Sequence, residues 1–235
     1  MNARVAGPGL SVDDAAALLG AMRLSSAALP IGAFAYSQGL EQAVARGAVT
    51  DAPGAERWIV GLLESSILML DVPVLRRVFE CWGCGDAAGA GAWNDFLYAA
   101  RGTRELREED RQLGTSLYRL LESLGEPRAG ALRGHPRATL PAAFALGARF
   151  FGLSAPSAAL AFGYSWCEAQ VGAATRLVPL GQTAAQRVLS SVQTALARGL
   201  PEALALPDDA ITATAPGQAL LSAEHETQYS RLFRS

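Results

Sequence analysis

The run DAPGAERWIVGLLESSILML, Asp51 to Leu70, decides the fold class. Asp51 followed by Pro53 is a helix start, because an aspartate caps the first free N–H groups and a proline in the first turn gives up no hydrogen bond. Beyond it Trp58, Ile59, Leu62, Leu63, Ile67 and Leu70 recur at three- and four-residue spacing, the stripe of a helix with one buried side. The most apolar window, Trp58 to Leu75, is interrupted by Glu64, Asp71 and Pro73. A membrane span needs about 20 largely uninterrupted apolar residues, so the window reads as buried helices.

The same periodicity continues outward. Val188, Leu189, Val192, Ala195 and Leu196 form a second stripe, opened by Thr183 with Gln186 in capping-box spacing. Further helices are expected near 13–23, 36–46, 72–82, 92–100, 103–124, 138–151 and 157–176. Alternating apolar and polar runs are nearly absent, and no internal repeat is found. The chain reads as all-α, a single domain of about ten helices, with a flexible N-terminus over 1–10. Gly83 to Gly91 and Gly125 to Pro136, rich in glycine, alanine and proline, read as exposed connectors.

Composition excludes several functions. Half of the 235 residues are hydrophobic and 18% are charged, which suits a chain with a real core. A net charge of -2 leaves no cationic excess for nucleic acid or an anionic membrane. Met1 to Leu10 has one arginine and no apolar stretch of signal-peptide length, so a cytoplasmic location is expected. All 20 basic residues are arginine. Without lysine there is no Walker-type phosphate loop and no Schiff-base chemistry.

Three features look chemical. Cys81 and Cys84 form a Cys-x-x-Cys pair, but at the C-terminal end of an apolar segment, where the helix dipole disfavours a thiolate. A tetrahedral metal site would need two more ligands, and only Cys167, His135 and His225 are available, so two ordinary thiols and no metal are expected. His225-Glu226 opens a His-Glu-x-x pattern whose second histidine position holds Tyr229. Arg101, Arg104, Arg107 and Arg111 interleave with Glu105, Glu108, Glu109 and Asp110; read alone, this is a solvated helix face with ion pairs.

LPIGAFAYSQGLE, Leu29 to Glu41, is physically a turn broken by Pro30 and Gly32 and followed by a helix start. It closely resembles the N-terminal signature of F-type (UreF) urease accessory proteins. RGTRELREEDRQLG (Arg101 to Gly114), VPLGQTAAQRVL (Val178 to Leu189) and SAEHETQYSRLFRS (Ser222 to Ser235) are similar to later segments of that family, in the expected order. Ala35 and Gly102 depart from the family pattern.

The resemblance implies a non-catalytic assembly factor without a cofactor. Family members form a homodimer, bind the D-type (also called H-type) accessory protein and with it recruit the G-type GTPase for nickel delivery into apo-urease. By resemblance Tyr36, Ser37, Gln38, Glu41, Arg176, Pro179, Gly181 and Gln182 face the GTPase, with Glu41 and Arg176 as polar anchors. His225, Glu226, Tyr229, Arg231, Leu232 and Phe233, in a docking tail spanning 208–235, bind the D/H-type partner. A short helix capped by Ser222 would put Tyr229, Leu232 and Phe233 on one face; the alternative is that the tail packs back onto its own domain. Two rival functions are a GTPase activator using Arg176 as a finger and a metal-binding module built on Cys81, Cys84 and a histidine.

Overall fold

Five of the helices start on a side-chain cap: Ser11, Asp51, Asp86, Thr103 and Ser154. The computed structural model describes residues 11–235, apart from the side chain of Arg133; the expected flexible segment 1–10 lies outside them. Helix α1 is Val12–Leu24, with Ser11 Oγ accepting from the Asp14 N–H at 3.1 Å. After the turn comes α2, Leu40–Ala45. Asp51 caps α3, Ala52–Leu62, accepting from Gly54 N–H at 2.8 Å. This helix runs without a break through a π-helical stretch, Leu63–Asp71, into α4, Val72–Cys84, which Gly85 ends in the left-handed conformation. Next are α5 (Ala87–Ala100), α6 (Arg104–Ser123), α7 (Ala129–Arg133), α8 (Leu140–Phe150), α9 (Ala155–Leu177), α10 (Gln182–Ala205) and α11 (Pro216–His225). No strand occurs among the described residues, and the helices build one all-α domain.

The long rod 52–84 is the centre. Helix α4 packs on α8 and α5, α10 lies along α3 and the π stretch, α9 packs along α10, and α6 closes over α8. Leu63, Leu70, Leu75, Tyr118, Phe144 and Leu146 are fully buried between them. By length and apolarity this rod alone, among the described residues, is sufficient to cross a membrane, yet 67% of its most apolar window is buried in the fold, as in a core helix. Helices α6 and α8 approach closely because Gly114 has no side chain: a Cβ there would meet the Thr139 carbonyl at 2.7 Å.

The π stretch and Pro73 leave rod carbonyls to be satisfied from outside. Pro73 has no N–H to return to Met69, four residues earlier. The Met69 carbonyl accepts from Thr212 N–H at 3.2 Å, and the Ser65 carbonyl from Thr214 N–H at 3.1 Å. The extended segment after α10 is therefore tied across the rod, and this aims α11 at the signature turn. Helix α11 packs on α2 and α6.

Five local expectations are corrected. The segment Gly83 to Gly91 is mostly helical: Asp86 caps α5, and Ala87, Ala88 and Ala90, the best helix formers, offset Gly89 and Gly91, which cost about 1 kcal/mol each. The second connector folds into α7, with Glu126, Ala129 and Leu132 buried. Helix α10 begins at Gln182 after Gly181, so Thr183 is not its cap. The helix expected over 36–46 starts only at Leu40, because Gln38 (φ 55°) and Gly39 (φ 85°) are left-handed. Ser222 lies inside α11, which ends at His225; Tyr229, Leu232 and Phe233 follow in a non-helical strap and do not share a helix face.

Candidate functional site

The signature turn, α6 and the C-terminal strap meet at one place. Left-handed backbone at Gly32, Gln38 and Gly39 folds Leu29 to Glu41 into a tight turn with a single 3-10 turn at Ala33–Ala35. Gly39 also permits contact with α11, since a Cβ there would sit 3.4 Å from the Ser222 nitrogen. Four polar side chains of the turn are then fixed inward or sideways. Tyr36 donates to Gln112 Oε1 at 2.6 Å. Ser37, fully buried, donates through N–H (2.9 Å) and Oγ (2.5 Å) to the Ser235 carbonyl. Gln38 donates to Glu109 Oε1 at 2.7 Å and accepts from the Trp166 indole at 2.8 Å. Glu41 accepts from the Leu232 and Phe233 N–H groups at 2.7 and 2.8 Å.

Glu41 also faces His225, which is fully buried. The imidazole lies with Nε2 3.3 Å from Glu41 and Nδ1 2.8 Å from Glu105 Oε2, while Arg231 donates to the other Glu105 oxygen at 3.0 Å. Each ring nitrogen thus faces a carboxylate oxygen, and Arg231 adds a cation on the outer side. Arg176 is exposed and its guanidinium covers the Phe233 ring at 4.8 Å, a cation–π contact, with a long bond to the Phe34 carbonyl at 3.4 Å.

The structure thus brings together Tyr36, Ser37, Gln38, Glu41 and Arg176 with His225, Arg231, Leu232 and Phe233. Pro179, Gly181 and Gln182 are exposed at the connection between α9 and α10. In the strap, His225 and Phe233 point inward, Glu226 is half-buried, and Tyr229, Arg231 and Leu232 face outward. The tail packs back onto its own domain, and Tyr229 and Leu232 are the large apolar side chains of its last ten residues that face solvent.

Behind the turn lies a cavity of about 430 Å³, lined by Gln38, Glu109, Trp166, Arg101, Asp71 and Asp110 among others. Arg104, Glu108 and Arg111 face solvent as the sequence reading expects, with an Arg111–Glu108 ion pair, but Glu109 and Asp110 are buried, which corrects that reading for the inner side of α6. Arg101, largely withdrawn from solvent, lies between two carboxylates, bidentate to Asp71 and 2.6 Å from Asp110 Oδ2. Burial opposes its charge, but Asp110 and Asp71 outweigh burial and raise its pKa. Burial likewise raises Asp71 against the pull of Arg101. Asp110 Oδ1 accepts from Leu140 N–H at 3.2 Å, capping α8. Glu109 is pushed up to about 7 by burial, with the Gln38 and Ser235 donors pulling it down. Glu108, on the outer side, is held at about 2 by its bond from Arg111.

Sequence reasoning missed Gln112, Asp71, Trp166 and Ser235 as members of this site. The available signal was helical: Glu105, Glu109 and Gln112 fall at 0, 4 and 7 on α6, one face of a helix. Elsewhere, Cys81 is half-buried and Cys84 exposed at the end of α4; burial raises the Cys81 thiol, the direction that disfavours a thiolate. Among the described residues no group of three or more His, Cys, Asp and Glu could hold a metal ion. His135 lies 3.6 Å from Asp95 and His225 is engaged by its two glutamates.

Comparison with known proteins agrees with this geometry. The family model described as UreF matches residues 49–193. The urease accessory protein UreF of Chromohalobacter salexigens is 48% identical over 96% of this chain and 98% of its own length. That of Psychrobacter cryohalolentis is 44% identical over 99% of this chain and its own full length. The bifunctional urease accessory protein UreEF of Bordetella bronchiseptica is 43% identical over 94% of this chain and 53% of its own length. A buried signature turn, a charged helix beneath it and a matching tail, together with similarity to such relatives over nearly the whole length, show that the chain belongs to the UreF family of urease accessory proteins.

Proposed function

We propose that this protein is a non-catalytic, cytoplasmic nickel-insertion chaperone which, with the D/H-type accessory protein, recruits and regulates the G-type GTPase on apo-urease. The observation that carries the reading is the physical link between the two surfaces assigned by resemblance: Glu41 of the turn holds the backbone of Leu232 and Phe233 in the tail. A partner that grips Tyr229, Arg231 and Leu232 on the outside of the strap would steady the turn through Glu41 and Ser37. The GTPase would then meet an ordered face. The fusion named UreEF supports a setting in which accessory proteins work side by side.

A homodimer fits an exposed apolar face on α1, where Val12, Leu18, Leu19 and Met22 face outward, with Phe34 exposed on the signature turn. Arg176 favours scaffolding over activation as an arginine finger, since its guanidinium is already stacked on Phe233.

The test is a pull-down against the D/H-type protein, the G-type protein and apo-urease, with and without GTP, using wild type, Arg176→Ala and Tyr229→Ala/Leu232→Ala. Recruitment of the GTPase by the wild type, lost in the Arg176 variant while its fold is intact, is expected. Failure of wild type to bind either accessory protein would overturn the reading. GTP turnover by the partner with and without this protein separates recruitment from activation.

A further inference from the structure

We propose that docking of the C-terminal strap is proton-coupled: the Glu109 carboxyl, covered by Ser235 on one oxygen and by Gln38 on the other, takes up a proton as the strap closes and returns it to solvent as the strap opens. The inference concerns the isolated chain and does not rest on the identity of any partner.

The position of Glu109 makes the argument. Its side chain lines two spaces, the cavity behind the turn and the charged groove beneath the strap that Tyr36, Glu105, Gln112, Arg231 and Arg234 also line. Ser235 Oγ donates to Oε2 at 2.8 Å and Gln38 Nε2 to Oε1 at 2.7 Å, and the residue is buried. On the cavity side it shares the interior with Asp110 and Arg101, and with Asp71 beyond the arginine. Those three carry two negative charges and one positive, so an ionised Glu109 would leave the interior two charges negative. From the turn the neutral Tyr36 hydroxyl lies nearby, from α6 Glu108, and from the strap Arg234; both charged side chains are solvent-facing. None of these matches the added charge in the interior.

A neutral carboxyl fits better, because one oxygen can accept from Gln38 while the hydroxyl donates to Ser235 Oγ. Opening the strap removes Ser235 and lets groove water reach the carboxyl, which then ionises as an ordinary glutamate. The direction is consistent with burial holding Glu109 up to about 7 against its ordinary 4.5. Between those values the closed strap holds a proton that the open one does not, so closure is favoured at low pH and weakens as pH rises toward 7. With these two values the closed-to-open ratio falls roughly tenfold from pH 6 to pH 8.

His225 also lies under the strap, facing the titratable Glu41 from α2 and Glu105 from α6, with Arg231 on the far oxygen. The experiment must therefore tell the two apart. Amide exchange of residues 226–235 is measured in the full chain at pH 6 and pH 8, normalised to the intrinsic rate at each pH. The wild type should lose about tenfold protection at pH 8. Glu109→Gln, whose amide reproduces the hydrogen bonds of the neutral acid, should be protected equally at both. A flat wild-type profile overturns the proposal. A pH step that persists in Glu109→Gln overturns it too and moves the coupling to the group of His225, Glu41 and Glu105. If Glu109→Gln loses its helical circular dichroism, His225→Gln decides: a pH step that persists in it supports the proposal, and one that vanishes refutes it.

Discussion

Replacing Glu41 by alanine separates an anchor of the strap from a surface contact. In the structure the Glu41 carboxylate is buried and accepts two backbone N–H groups, from Leu232 at 2.7 Å and Phe233 at 2.8 Å, besides facing His225 at 3.3 Å. Hydrogen bonds to a charged group are worth about 1.5–3 kcal/mol each, so the two amides alone give an upper bound of roughly 3–6 kcal/mol. The loss cannot exceed what docking the strap contributes, because a released strap recovers its hydrogen bonds from water. About 2–4 kcal/mol is therefore expected, which for a chain of this size lowers Tm by roughly 5–15 °C. Urea melts followed by circular dichroism give the global change, and amide exchange at Leu232 and Phe233 gives the local one. Arg176→Ala is the control: its exposed guanidinium stacks on Phe233 and should cost under about 1 kcal/mol. The reasoning is refuted if Glu41→Ala melts with the wild-type midpoint and both strap amides stay protected.

Four other outcomes follow from the packing. Arg101→Ala should cost about 3–5 kcal/mol in a denaturant melt, since it leaves Asp71 and Asp110 buried without their cation. Gly114→Ala should cost about 1–3 kcal/mol, because the new methyl meets the Thr139 backbone at 2.7 Å, which cannot give way as a side-chain tip would. Cys81→Ser with Cys84→Ser should stay within about 0.5 kcal/mol of wild type and leave nickel and zinc stoichiometry unchanged in titration. Glu109 is held up to about 7 from 4.5, so the folded wild type binds a proton that the unfolded chain has lost between those values, and its stability falls as pH rises through that window. Glu109→Gln should match wild type near pH 4 and exceed it by about 3 kcal/mol at pH 8, read from melts at both.

What was legible in the sequence was local. The Asp51–Pro53 start and the stripe from Trp58 to Leu70 gave a helix whose buried residues include Ile59, Leu62, Leu63, Ile67 and Leu70. The π stretch was not legible, because it depends on Thr212 and Thr214, roughly 140 residues later, supplying N–H groups to rod carbonyls. The charged run misled for the same reason. Periodicity put Glu105 and Glu109 on one face, but nothing within Arg101 to Arg111 announced that Asp71 would draw Arg101 inside or that Gln38 and Trp166 would cover Glu109. Glycine-rich Gly83 to Gly91 misled in the opposite sense, since alanine propensity and the Asp86 cap prevailed.

The strap shows how a tail can be committed to its own domain and still present a binding surface. A helical reading puts Tyr229, Leu232 and Phe233 on one side, and that side would face either self or partner. The bends at Tyr229–Ser230 and Leu232–Phe233 instead let neighbouring residues leave the backbone on different sides. Phe233 is buried beneath Arg176 while Leu232 next to it is more than half exposed and Tyr229 fully so. The backbone between them is pinned by Glu41, which needs only N–H groups and is indifferent to the side chains that carry them. Inner residues can therefore serve folding and outer ones recognition, and a substitution on one side need not disturb the other. Buried His225 and Phe233 belong to the first set and Tyr229, Arg231 and Leu232 to the second, a division that follows from which side of the pinned backbone each side chain leaves.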